Sequence, residues 1–81
     1  MNDVPSKPLD RPVAGDYLTI NRKEGTEDQF MLEFNRAGEK VGRTILVIDC
    51  ENSSAIVEVL SMFGLQKDFS INSYTWKLKQ L

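Results

Sequence analysis

Histidine is absent from this chain, cysteine occurs once, and all three prolines fall within the first twelve residues. Without an imidazole there is no ready general base, no Ser-His or Cys-His nucleophile pair and no histidine-bearing zinc site, so most parts of a familiar enzyme are missing. The lone Cys50 cannot close an internal disulfide, and Met1-Asn2-Asp3-Val4-Pro5 has neither the basic nor the apolar stretch of a secretory signal. Both features point to a reducing cytoplasm. Long apolar runs are lacking too: none approaches the ~18 to 20 residues that a membrane span requires. Ten Lys and Arg against twelve Asp and Glu leave a net charge of −2, without the basic excess of proteins that grip phosphate backbones. The glycines at 15, 25, 38, 42 and 64 are spaced as turns and a helix cap, and form neither a GxGxxG nor a Walker-type loop. No catalytic residue, cofactor or metal set is read from these residues.

What the chain does contain is a small α+β pattern. Residues 1–15 carry the prolines and few large apolar side chains, and read as a flexible tail ahead of a single domain over 16–81. A domain of that size buries only roughly 60% of its unfolded surface, so its stability is expected to be marginal. Tyr17 to Arg22 alternates and favours a strand, with Leu18 and Ile20 on one side and Tyr17 and Thr19 on the other. A polar loop over 23–28 follows. Phe30, Leu32 and Phe34 then form the apolar side of a second strand, with Met31, Glu33 and Asn35 opposite, before a turn at Ala37-Gly38-Glu39-Lys40.

The third strand, Arg43 to Cys50, differs. Ile45 and Val47 share one parity and Leu46 and Ile48 the other, the pattern of a strand buried on both faces. A helix over Asn52 to Gly64 comes next, with Asn52, Ser53 and Ser54 as candidate N-caps and Asp49, Glu51 and Glu58 near its positive end. Ile56, Val59, Leu60 and Phe63 make one helical stripe, flanked by Ala55 and Met62, and Gly64 ends it. After a linker at Gln66-Lys67-Asp68, the run Phe69 to Leu78 alternates but changes parity between Ile71 and Tyr74, which calls for a bulge or a short turn near Asn72-Ser73. The expected fold is an α+β domain in the order β-β-β-α-β: a small antiparallel sheet of three to four strands with one helix on one face. One helix covers one face, yet the third strand carries aliphatics toward both, so the opposite face is expected to need a partner.

Residues with chemistry to offer are few. Asp49 and Glu51 are the only close acidic pair beside an apolar run, and the helix dipole accounts for them more simply than carboxylate catalysis or a divalent ion does. Cys50 reads as a small core residue, and Asn52-Ser53-Ser54, although a glycosylation sequon, reads as capping. In Tyr74-Thr75-Trp76-Lys77-Leu78-Lys79 the aromatics share a parity that reads first as core under the helix, with a protein interface second and a stacking platform for nucleic acid third.

The expected function is therefore that of a non-enzymatic protein-binding module, a regulator, adaptor or inhibitor using a sheet face or an open strand edge. Met31, Leu46, Ile48, Tyr74 and Trp76 are the candidate interface, with Ile45 and Val47 as the alternative parity, and homodimerisation is its simplest use. The alternative is a module for single-stranded nucleic acid, with Tyr74 and Trp76 stacking on bases and Arg36, Arg43, Lys77 and Lys79 near phosphates. The run from Asp16-Tyr17 through Phe63, with its Asn35-Arg36-Ala37-Gly38-Glu39 turn and the helix start Glu51-Asn52-Ser53-Ser54-Ala55-Ile56-Val57-Glu58, resembles small phage anti-CRISPR proteins of β-β-β-α layout. That resemblance implies a phage-encoded inhibitor and assigns no residue a role.

Overall fold

The computed structural model describes residues 11–38 and 42–81. The alternating runs become β1 (Tyr17–Arg22) and β2 (Phe30–Arg36), followed by β3 (Arg43–Cys50), the helix α1 (Ser54–Met62), β4 (Leu65–Asn72) and β5 (Thr75–Gln80). All five strands belong to one sheet in the order β3-β2-β1-β5-β4, with every neighbouring pair antiparallel. The chain leaves the sheet at one edge, β3, crosses one face as α1 and re-enters at the other edge, β4. Class and single helix are as expected. Among the described residues the strand count is five instead of three to four, because the segment after the helix makes a hairpin: the supposed linker Gln66-Lys67-Asp68 is strand, and Ser73-Tyr74 is a turn.

The core lies between the sheet and α1. Leu18, Leu32 and Phe34 are fully enclosed, and Ile45, Cys50, Ile56, Leu60, Leu65 and Leu78 are buried with them. Phe63 meets Phe34 edge-on, with ring centroids 5.8 Å apart. Each enclosed Leu or Phe contributes about 1.5 to 3 kcal/mol relative to its exposed state, so this cluster is the main source of stability. The helix stripe is as read: Ile56 and Leu60 are buried, Ala55, Val59 and Phe63 pack against the core, and Met62 lies outside. Of the three capping candidates Asn52 serves, its Oδ1 accepting the Ala55 N–H at 3.0 Å, while the Ser53 side chain makes no capping bond. At the other end Gly64 adopts φ +72°, a left-handed turn that side-chain-bearing residues resist, and this turns the chain into β4.

Two expectations are corrected here. The first concerns β3. Phe34 pairs with Leu46 but Asn35 pairs with Thr44, so Ile45 is an extra residue in a bulge. The bulge breaks strict alternation and turns Ile45 inward, while register with Phe34 and Leu32 holds Leu46 and Ile48 on the same helix side. Of the β3 aliphatics only Val47 is left on the far face, diagonal to Met31 of β2. That face is a polar ladder: Thr44 Oγ1 donates to Asn35 Oδ1 at 2.8 Å, the Thr19 and Thr75 hydroxyls meet at 3.2 Å, and Lys23 Nζ lies 3.2 Å from Asp49 Oδ2. The bulge thus removes the doubly apolar strand on which the expected need for a second layer rested.

The second concerns the tail. Residues 1–10 lie outside the described residues, as do Glu39 and Lys40 of the expected turn. Residues 11–15, however, are packed in place. Pro12 is enclosed, the Gly15 N–H donates to the Leu78 carbonyl at 2.9 Å, and the Arg11 guanidinium sits 5.3 Å over the Phe63 ring while Nη2 donates to the Met62 carbonyl.

Candidate functional site

The β4–β5 hairpin is half core and half projection. Near its open end Leu65 and Leu78 are buried; toward its tip every residue of β4 from Lys67 to Asn72 is exposed. The tip is shaped by Asn72, whose Oδ1 accepts the Tyr74 N–H at 2.9 Å, an Asx-type turn closed by a side chain. Pairing between the two strands is irregular between Lys67 and Ser70 and again between Ser70 and Asn72. Those irregularities upset the alternation that would tuck apolar residues inward. Phe69, Ile71 and Tyr74 are left 53%, 49% and 55% exposed within six positions of one another. Scattered exposed apolar residues are ordinary; here three large ones are gathered at the end of one hairpin.

Two lysines dress this end. Lys67 Nζ stands 4.6 Å from the Trp76 ring centroid, and Lys77 Nζ 5.9 Å from that of Phe69. Lys79 Nζ lies 4.0 Å from Asp68 Oδ1. By the β1–β5 register Trp76, with Lys67 against it, lies on the Leu18 side of the sheet, and Lys77, with the Phe69 ring beside it, on the Tyr17 side, so the hairpin carries an aromatic and a cation on each face.

The structure divides the five interface candidates. Tyr74 and Trp76 lie together in this hairpin, Tyr74 exposed and Trp76 half-buried. Met31 is 38% exposed on the polar face, diagonal to Val47 in the β2–β3 register. Leu46 and Ile48 are half-buried on the helix side at the opposite edge of the sheet, so they do not join a patch with Met31. Phe69 and Ile71 escaped the sequence reading. The parity change between Ile71 and Tyr74 marked a break there, and reading it as a hairpin would have placed both on an edge strand.

The four cations of the nucleic-acid reading are likewise separated. Lys77 and Lys79 are on β5, whereas Arg36 and Arg43 pair at the far ends of β2 and β3. Arg36 is committed to structure: Nε and Nη2 donate at 2.9 Å to Oδ1 and Oδ2 of Asp16, and Nη2 also reaches the Arg11 carbonyl. Burial alone would push the Asp16 carboxyl up, but the bonds from Arg36 and from the Val13 N–H hold it below the usual carboxylate range.

No match to this chain is found among known protein families, curated proteins or solved structures. The site therefore rests on its own geometry.

Asp49 is engaged with Lys23 on the exposed sheet and Glu51 is exposed, and the two line an open cleft with Asn52, Ser54 and Glu58 at the start of α1. Among the described residues no group of three His, Cys, Asp or Glu is placed to hold a metal ion. Cys50 is buried, and desolvation with the neighbouring Asp49 charge pushes its thiol up, away from the nucleophilic thiolate. Among the described residues no helix is long and apolar enough to cross a membrane.

Proposed function

We propose that this chain is a non-enzymatic, cytoplasmic protein-binding module, acting as a regulator, adaptor or inhibitor, and that its partner seats on the apolar end of the β4–β5 hairpin. The observation that carries this reading is the concentration of Phe69, Ile71 and Tyr74, each about half exposed, at a hairpin end that adds little to the core. Aromatic side chains of this kind, rimmed by charge, supply the anchors of small protein interfaces. Trp76 adds a rigid floor under Lys67.

Single-stranded nucleic acid is the weaker reading. Trp76 is half-buried with Lys67 against its ring, and Arg36 is held by Asp16 at the far end of β2, away from Lys77 and Lys79 on β5.

Replacing both Phe69 and Tyr74 by Ser tests the proposal. The variant should unfold within about 0.5 kcal/mol of the parent, as surface substitutions do. It should also lose the protein that the parent retains from an extract of its source cell. Retention of that protein by the folded variant would refute the assignment of the surface.

A further inference from the structure

We propose that the open edge of β3 pairs with the β3 of a second copy of this chain, antiparallel and centred on Val47. Among the described residues no strand lies beyond β3, whose one sheet neighbour is β2. Edge strands are ordinarily blunted by charge, proline or bulges. The other edge, β4, has such protection in Lys67, Asp68 and two breaks of register. In β3 the single bulge sits at Ile45, and beyond it Leu46 to Cys50 runs in unbroken register with an uncharged, β-favouring centre of Leu46, Val47 and Ile48.

Burial along the strand points the same way. Leu46 and Ile48 face the helix side yet remain only half-buried, since among the described residues no strand flanks them at the edge. Val47 is 47% exposed. Pairing about a two-fold axis at Val47 sets Leu46 beside Ile48 of the second copy, twice over, and extends both cores across the seam.

Charge selects the orientation. Arg43 stands at one end of the strand, and Asp49 and Glu51 at or just past the other. Antiparallel pairing brings the Arg43 end of each copy alongside the acidic end of the other, and parallel pairing would stack like charges. The occupant is thus a second copy, recognised by a strand whose charge pattern is complementary to itself when reversed. This surface is separate from the hairpin, so either proposal can fail alone.

Sedimentation velocity of the whole chain from micromolar to millimolar concentration tests it. The parent should shift from monomer to dimer as concentration rises, and the β3 amides should gain exchange protection over the same range. Val47→Lys should weaken the dimer at least tenfold, and so should Arg43→Glu. The double variant Arg43→Glu with Glu51→Arg should restore most of the loss, a rescue that misfolding cannot imitate. Phe69→Ser should leave the dimer unchanged. A monomer at every concentration, a dimer indifferent to Val47→Lys, or a dimer abolished by Phe69→Ser would overturn the proposal.

Discussion

Asp16→Asn is the most informative single substitution for the fold. The native carboxylate is 3% exposed and accepts three bonds, two at 2.9 Å from Arg36 and one at 2.8 Å from the Val13 N–H. These join the packed residues 11–15 to the start of β1 and the end of β2. An asparagine keeps the shape but has one acceptor oxygen, and it turns an amide N–H₂ toward either the guanidinium or the Val13 donor. Each charge-assisted bond lost costs about 1.5 to 3 kcal/mol. The Arg36 side chain is 33% exposed and can rehydrate in part, which brings the expected net loss to about 2 to 3 kcal/mol. For a domain of this size that corresponds to a fall in Tm of roughly 10 to 20 °C. The pH dependence follows from the depressed carboxyl. Its contribution is fully present above the unfolded value of about 3.9 and is lost as pH falls through the lower folded value, so the substitution should flatten the acid limb of the parent's stability curve. Thermal unfolding followed by circular dichroism at neutral and acid pH reads both effects. A Tm within 2 °C or so of the parent, or an unchanged acid limb, would refute the account of this pair.

Three further outcomes are expected. Cys50 should resist thiol reagents in the native protein and react fully once unfolded, because burial and the Asp49 charge both disfavour its thiolate; a native rate near that of free cysteine would contradict the placement. Gly64→Ala should cost about 1 to 2 kcal/mol in urea unfolding, since φ +72° is strained for any residue with a Cβ. Oligonucleotides at low salt should leave Trp76 fluorescence unchanged, given the Lys67 ammonium against the ring; salt-sensitive quenching would favour the nucleic-acid reading instead.

Most of the framework was open to inspection in the residues themselves. Period-two alternation placed Leu18, Leu32 and Phe34 on one side, and these are the enclosed residues; spacing by three and four placed Ile56 and Leu60, the buried face of α1. Sequence reading failed where a single inserted residue changes which way everything after it points. At Ile45 the bulge made a one-sided strand look two-sided, and with it went the case for a second layer over the polar face. Near Asn72-Ser73 the parity change did call for a bulge or a short turn, and what stayed hidden was the hairpin, because the turn lacks the Asn-Gly signature and is closed by the Tyr74 N–H donating to Asn72 Oδ1. The Asp16–Arg36 pair was out of reach for a different reason. Its members lie twenty positions apart, and only the register of β1 on β2 sets them side by side.

The claim that a protein docks on the hairpin end is tested most directly by site-specific photocrosslinking in an extract of the source cell. A benzophenone side chain placed at position 69 or 74 should yield one and the same adduct, suppressed by excess unmodified protein, while the same group at exposed position 57 on α1 should yield none of it. Equal adducts from position 57, or adducts at 69 and 74 that excess unmodified protein fails to suppress, would contradict it.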